Sequence, residues 1–280
     1  MDYRIEPRAD LAACDAAVRL QRETWGDAVT VPSNMLFASV HVGAFLALAI
    51  AGDDAIGFVY SFYGVKDWRF VHHSHMLAVL AAYRSTNVAR DLKSAQRDYC
   101  LEQGLELVTW TMDPLQSRNA RFNLAKLGAY ASEYHDDFYG EMPDKLNAGM
   151  PSDRFVIEWP IATDRVNHRL RDEDPIASLA DAEREVPYLL RAEGDRPGGE
   201  GRLDGSHLLV ATPWDIDAIK RKDIGLAREW RLAQRRTLGA ALKSGYAAVE
   251  YLVADERGAY LLIKRPPIVE ARRREEEPAP

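Results

Sequence analysis

At 280 residues, 47% apolar and 28% charged, the chain is long enough for one large domain or two smaller ones and needs no covalent staple to bury a core. Its net charge of −7, with 15 basic and 21 acidic side chains in residues 1–161, repels a phosphate backbone and counts against nucleic acid as a main partner. Cys14 and Cys100 both fall in helix-like runs, which excludes a disulfide framework or a CxxC motif, and no run of 18 apolar residues occurs; with no signal-peptide-like core after Met1-Asp2-Tyr3-Arg4, the expectation is a cytoplasmic protein with no membrane contact.

Tyr3 to Glu6 reads as a short strand, and Ala9 to Trp25 as a helix with Leu11, Cys14, Val18 and Leu20 near 3.6-residue spacing. After a break at Gly26, Pro32-Ser33 opens a second helix with Ser33 as its cap. Ala44 to Ile50 and Ala55 to Tyr63 form a hairpin across Ala51-Gly52-Asp53-Asp54. Val71 to Leu80 is a further strand, followed by a loop over 81–87 and an amphipathic helix from Val88 to Gln103 that stops at Gly104. Leu105 to Met112 is strand, Asp113-Pro114 a turn, Ser117 to Leu127 a helix closed by Gly128, and Phe155 to Ile161 the last strand of this portion. The predicted order is β-α-α-β-β-β-α-β-α-β.

Beyond Ile161 the texture changes. Residues 162–178 are polar, Asp181 to Ala192 predicts a helix, and the Gly-rich run from Ala192 to Ser206 has no GK[ST] and reads as a flexible connection. A strand (Leu208 to Thr212), a long helix (about Asp223 to Ser244) and two strands (Tyr246 to Val253, Ala259 to Lys264) follow, and the tail from Pro266 has a disordered composition. The resulting division is 1–161, a linker with one helix over 162–206, an αβ extension over 207–265, and a tail over 266–280. Ala89-Arg90-Asp91-Leu92-Lys93-Ser94-Ala95-Gln96-Arg97 recurs as Ala227-Arg228-Glu229-Trp230-Arg231-Leu232-Ala233-Gln234-Arg235, each copy running to a glycine and then a strand. A decayed half-copy and chance similarity between helices both account for it.

The loop before the Val88 helix is the most informative stretch. A helix N-terminus preceded by a tight loop offers unpaired amides and the positive end of its dipole to an anion, and Arg84 and Arg90 stand ready to add charge-assisted bonds. Arg84-Ser85-Thr86-Asn87-Val88-Ala89 after a strand resembles the Q/R-x-x-G-x-G/A signature of the GNAT acyltransferase superfamily, and the resemblance extends over the element order of residues 1–161. A bacterial branch of predicted acetyltransferases with a C-terminal extension is similar at His73-Ser74-His75-Met76-Leu77, Trp110-Thr111-Met112-Asp113-Pro114-Leu115, Arg118-Asn119-Ala120-Arg121-Phe122-Asn123, Tyr139-Gly140-Glu141-Met142 and residues 146–155. The resemblance implies an α/β (α+β) fold with a splayed mixed sheet flanked by helices, plus a smaller C-terminal αβ half-domain. It also implies acetyl-CoA or another acyl-CoA as co-substrate, with no metal. The pantetheine arm would pair with Leu77, Ala78 and Val79, the pyrophosphate would sit on the amides of Ser85, Thr86, Asn87, Val88 and Ala89, and a strand amide near Val79 would hold the oxyanion. Two departures stand out: Asn87 replaces the first loop glycine, so its side chain crowds the phosphate approach, and Leu124 occupies the position where many members carry a tyrosine acid.

His73 and His75 alternate onto one strand face and His72 onto the other, so His75 is a candidate base and His73 a substrate contact. The structural alternative is a hydrogen-bonded histidine, and two histidines without a third ligand predict no metal. Asp113, Arg118, Asn119 and Asn123 crowd a strand-turn-helix junction, the asparagines at i,i+4, where they would hold pantetheine or acceptor or else serve turn and capping chemistry. Ser152 and Arg154 are candidates for the acceptor, an arginine there being suited to a carboxylate and hence an amino acid; an Asp153–Arg154 loop bridge is the plain alternative. Tyr139 and Tyr134 are replacement acids or packing groups. The function expected is transfer of an acetyl or slightly larger acyl group from CoA to a small-molecule amine by direct attack; an acyl-CoA-binding module without turnover is the alternative. A nucleic-acid or partner-docking role for the basic helix bearing Arg228, Arg231, Arg235 and Arg236 is a third reading, against a solvated face, and self-association is left open.

Overall fold

A computed structural model describes residues 2–66, 68–84, 86–140 and 149–264. Strand β1 (Arg4–Pro7) leads to Asp10, whose carboxylate accepts from the Ala13 amide at 2.9 Å and so caps helix α1 (Leu11–Trp25). Helix α2 (Ser33–His41) is entered from Pro32, so Ser33 is its first residue and makes no side-chain cap. Strands β2 (Phe45–Ala51), β3 (Asp54–Lys66) and β4 (Arg69–Val79) form an antiparallel meander, and helix α3 (Val88–Glu102) returns the chain to β5 (Leu107–Met112). Strand alternation sends Leu46, Phe58 and Tyr60 to one side, where α1 and α2 cover them with Leu20 and Leu36. Phe45, Ala47, Ile56 and Val59 go to the other side, under Val88 and Leu92 of α3.

The helix expected over Ser117 to Leu127 is α4 (Ser117–Ala120) running into a π turn (Arg121–Lys126), with the Leu127 N–H reaching back five residues to the Phe122 carbonyl at 3.0 Å. Gly128 then takes φ 73, an angle at which a side chain would be strained. The next element was not anticipated: Tyr130–His135 is a strand, β6, paired with β7 (Arg154–Pro160). Its period-two signal is broken by an extra residue, Ser132, between the pairs Ala131↔Ile157 and Glu133↔Val156.

In the C-terminal portion come α5 (Asp164–Leu170), α6 (Leu179–Ala182), β8 (Tyr188–Glu193), β9 (Arg196–Glu200), β10 (His207–Thr212), α7 (Ile216–Lys222), α8 (Ile224–Lys243), β11 (Tyr246–Ala254) and β12 (Arg257–Lys264). Two expectations are corrected here. Only one turn of the helix predicted over Asp181 to Ala192 forms, because Pro187 has no amide to donate and biases Val186 out of the helical region; the remainder is β8. The Gly-rich run read as a flexible connection contains β9, which pairs with β8 at Leu190↔Glu200, Ala192↔Pro197 and Glu193↔Arg196. The tail predicted to be disordered lies outside the described residues.

One sheet runs through the described residues in the order β1-β2-β3-β4-β5-β7-β6-β11-β12-β10-β8-β9. Its N-terminal and C-terminal stretches meet at a single pair, Ala131↔Ala248. Behind that seam lies a shared apolar core in which Leu124, Phe155, Trp159 and Ile161 join Trp230, Tyr251 and Tyr260. The two helices of the internal similarity differ in what they connect: α3 links the neighbours β4 and β5, whereas α8 follows β10 and leads to β11 with β12 lying between.

Candidate active site

Strands β4 and β5 run parallel but are paired only at His72↔Val108 and His73↔Thr109. Beyond those residues β4 continues to Val79 and β5 to Met112 without pairing to each other, so a V-shaped slot opens toward their C-terminal ends. A bulge marks its apex: Tyr60 pairs with Met76 and Ser61 with Ser74, leaving His75 as the extra residue. The Leu80 amide turns toward β3 and bonds the Ile56 carbonyl at 2.9 Å. By alternation, Ala78 also faces β3, while Leu77 and Val79 present their backbone groups to the slot. Of the three residues expected along a pantetheine arm, Ala78 is therefore turned away.

Arg84 lies at the open end of the slot, where its Nε donates to the Val79 carbonyl at 3.1 Å. Asn87 is the N-cap of α3 at φ −81 and ψ 0, a right-handed conformation, so the loop makes no demand for glycine at this position. It makes no side-chain cap, whereas Asp10, Asp215 and Asp223 each cap their helices with a carboxylate. The first turn carries Asp91, whose carboxylate accepts from the Tyr3 hydroxyl, and the N-cap side chain leaves first-turn amides beyond Val88 for an anion. Thr86 folds back, its hydroxyl donating to the Tyr83 carbonyl at 2.6 Å and standing 3.4 Å from the Val88 amide. Arg90 is drawn away from the loop into an ion pair with Asp172, and Ser85 lies outside the described residues.

On the α1/α2 side of the slot, the histidines sit as the alternation requires. His73 Nδ1 is 3.3 Å from Thr109 Oγ1 across the last β4–β5 pair, and burial holds the His73 imidazole down at about 4. His75 packs against the rings of Tyr60 and Phe62 and is open to solvent on its far side; that crowding keeps its pKa below the ordinary imidazole value. Thr111, next along this face of β5, shares a 2.9 Å hydrogen bond with the hydroxyl of Tyr139. Arg154 lies under the Tyr139 ring, its guanidinium carbon 5.4 Å from the centroid, and donates to the Asp153 carbonyl at 2.9 Å. His73, His75, Thr111, Tyr139 and Arg154 are thus brought to one side of the slot.

Other expected site residues serve the scaffold. Asp113 receives both guanidinium nitrogens of Arg231, at 2.8 and 2.7 Å, and the Leu115 amide at 2.8 Å, which commits its carboxylate to the turn and to α8. Ser152 is fully buried and ties the 137–140 turn, accepting from the Tyr139 amide at 2.9 Å and donating to Asp137 at 3.2 Å. Asn123 is buried against the Met112 sulfur at 3.3 Å, while Asn119 and Arg118 are exposed; the π turn that begins at Arg121 breaks the i,i+4 register on which the asparagine pair depended. Tyr134 donates to Asp153 at 2.6 Å and is buried, which makes it a packing and anchoring group. The arginines of α8 face inward or pair locally: Arg231 with Asp113, Arg235 with Asp153, Arg236 with Glu200, and Arg228 with the Gly149 carbonyl, so no basic surface stripe results.

Lys93 escaped the sequence reading. Its side chain is buried at 2% exposure beneath the slot, donating to Ser74 Oγ at 3.0 Å and Gln96 Oε1 at 2.7 Å and lying 4.0 Å from the Trp110 ring centroid. Desolvation lowers its pKa to about 7. The available signal was its place on the buried stripe Val88, Leu92, Gln96 and Cys100 of an amphipathic helix, where a lysine is out of pattern. Among the described residues no group of three or more His, Cys, Asp or Glu is placed to hold a metal, and no helix is long and apolar enough to cross a membrane.

The order β1-β2-β3-β4-β5-β7-β6, with α1 and α2 on one side, α3 on the other and the β4–β5 splay between, is the splayed, mixed, helix-flanked sheet that the sequence resemblance implies. No protein-family model and no curated protein matches the chain. Solved structures similar to it include Arabidopsis thaliana Naa50 in complex with a bisubstrate analogue, at 18% identity over 56% of this chain and 98% of that one with a TM-score of 0.46. The ribosomal-protein-S18-alanine N-acetyltransferase of Escherichia coli is similar at 12% identity, 58% and 96% coverage and a TM-score of 0.47. A GNAT-family acetyltransferase of Streptococcus pneumoniae is similar at 11% identity, 56% and 98% coverage and a TM-score of 0.46.

Proposed function

We propose that the slot between β4 and β5 holds an acyl-CoA and that the chain transfers its acyl group to the amine of a small molecule. The observation that carries this reading is the loss of pairing between two parallel strands after His73 and Thr109, directly below the N-terminus of α3, whose N-cap Asn87 makes no side-chain cap. From Ser74 to Val79 the free edge of β4 spans roughly 17 Å at about 3.3 Å per residue, comparable to an extended pantetheine arm. The arm would hydrogen-bond the backbone of Leu77 and Val79, with the pyrophosphate on the first-turn amides of α3 and Arg84 beside it. This leaves the thioester at the apex, facing His73 and His75.

The acceptor enters over the face formed by His75, Thr111, Tyr139 and Arg154. Its neutral amine attacks the thioester carbonyl, the carbonyl oxygen takes the developing charge beside a β4 amide, the carbon–sulfur bond breaks toward sulfur, and the nitrogen loses its extra proton to His75. Because its pKa is lowered, His75 is a free base at neutral pH. Arg154, stacked under Tyr139, already lies 3.8 Å from the Asp113 carboxylate and would share its charge with an acceptor carboxylate, so amino acids are the first acceptors to try.

The test is free-thiol release from acetyl-CoA and succinyl-CoA across a panel of amines and amino acids, with mass detection of the amide. Amine-dependent thiol release is expected. Tight acyl-CoA binding with no release across the panel would support the second reading, a non-catalytic acyl-CoA-binding module, which the buried aliphatic Leu124 at the usual acid position favours. With His75 as base, the rate falls as pH drops below its lowered pKa, and His75→Gln removes that acid limb; an unchanged pH profile in the variant excludes His75.

A further inference from the structure

The helix side of the slot carries a cation with no anion. Lys93 Nζ touches both diverging strands immediately past their last pair: Ser74 of β4 follows His73, and Trp110 of β5 follows Thr109. It lies under the apex as a wedge from α3. Around it are Gln96 and Cys100 of α3, His72 and Ser74 of β4, Trp110 of β5 and Trp159 of β7 at 4.9 Å from its nitrogen. His72 is buried with its pKa lowered to about 4, and Cys100 is pushed up to about 12, so both stay neutral near pH 7. Among the described residues no carboxylate pairs with Lys93. Arg231, at the matching position of the internal similarity and as deeply buried, is held by both oxygens of Asp113. Two more buried polar atoms near Lys93, Ser61 Oγ and His72 Nε2, have no hydrogen-bond partner in the structure.

We propose that the missing counter-charge of Lys93 is the thiolate that departs from the acyl-CoA: the Lys93 ammonium steadies the charge as it forms on sulfur and then, being an acid that an arginine is not, hands it a proton, so that Lys93→Arg should keep the charge effect on the bound thiol and lose the proton transfer. The inference rests on the acyl-CoA reading of the slot. As the tetrahedral adduct collapses, the carbon–sulfur electron pair moves to sulfur, and a Lys93 N–H proton passes to sulfur to give the free thiol and a neutral amine. The acceptor's own proton leaves by way of His75, and Lys93 is reprotonated from solvent after product departs. Leu124, where a tyrosine acid would otherwise stand, gives the sulfur no proton, so the donor comes from α3 instead of from the α4 segment. A pKa of about 7 leaves a substantial ammonium fraction at neutral pH while keeping the proton easy to release.

The test needs no knowledge of the acceptor. CoA itself is bound to wild-type protein, Lys93→Met and Lys93→Arg, and the ionisation of its thiol is followed by thiolate ultraviolet absorbance against free CoA. Wild type and Lys93→Arg should hold the bound thiol at a lower pKa, by about one unit or more, a tenfold greater thiolate-to-thiol ratio at a given pH; Lys93→Met should return it to the free value. Equal titration in wild type and Lys93→Met overturns the role of Lys93 while leaving CoA in the slot. Failure of CoA to bind wild-type protein overturns the acyl-CoA reading and this inference with it. Once an acceptor is known, Lys93→Met should be slow with acyl-CoA and recover toward wild-type rate with an aryl thioester whose leaving thiol is acidic; an equal deficit with both thioesters would mark a structural role only.

Discussion

Lys93 and Arg231 are both buried cations, and their surroundings predict opposite responses to mutation. Asp113→Asn leaves Arg231 without its bidentate carboxylate, an uncompensated buried charge that should cost about 3–5 kcal/mol in urea unfolding. Pairing it with Arg231→Met should restore much of that loss. Lys93→Met removes a charge that has no carboxylate partner, so the variant should be more stable than wild type at pH 7, by about 1–4 kcal/mol. The folded Lys93 has its pKa lowered from 10.5 to about 7, so the unfolded chain binds more protons across that window. Wild-type stability therefore rises with pH from 7 toward 10.5, and the gap to Lys93→Met should close over the same range. His72 works in the same direction at lower pH: its pKa is lowered from 6.5 to about 4, so acidification through that interval should remove about 3 kcal/mol. His72→Phe should remove that share of the slope and leave the share of His73, whose pKa is lowered to about 4 as well.

At the level of elements, the β4–loop–α3 unit is the most legible part of the chain, because an apolar strand run, a short polar loop and an amphipathic helix stopped by Gly104 each leave a clear periodic trace. Arg84 remains the residue of that loop best placed for phosphate, and Arg84→Ala should weaken CoA binding by about 1–3 kcal/mol in calorimetry; unchanged affinity would remove it from the cofactor loop. The liability read at Asn87 is its side chain, crowding the phosphate approach; its φ of −81 shows that the backbone there needs no glycine, a distinction that no residue name carries. The misses have physical causes. Strand β6 hid because a bulge at Ser132 shifts its alternation, and β9 because its glycines and proline are edge-strand residues that resemble loop. The roles of Asp113 and Ser152 were misjudged because their partners, Arg231 and Asp137, lie far along the chain or in a turn that only tertiary packing closes. Sequence spacing shows which residues share a face, and says nothing of which distant arginine reaches them.

At the scale of the molecule, the C-terminal portion is bound to the N-terminal one through polar anchors as well as apolar packing. Ser117 Oγ donates to the Pro213 carbonyl at 2.6 Å, Tyr251 reaches Ser117 at 2.7 Å, Tyr260 reaches the Pro114 carbonyl at 2.7 Å, and Arg165 donates to the Gly128 carbonyl at 3.2 Å. Deleting residues 162–280 would strip these partners, bare Phe155 and Leu124, and leave Asp113 and Asp153 without their arginines. The truncated chain should be insoluble or bind a hydrophobic dye on expression; a soluble fragment with full acyl-CoA binding would show that the two portions are independent. The seam itself has a mechanical character. Because only the pair Ala131↔Ala248 bridges the ladders there, a pulling force applied across the strands would meet few rungs and would load the Asp113–Arg231 and Asp153–Arg235 clasps instead. Stretched in an optical trap from its two outer edges, the molecule should tear first along that line, with each half still folded at the moment of rupture.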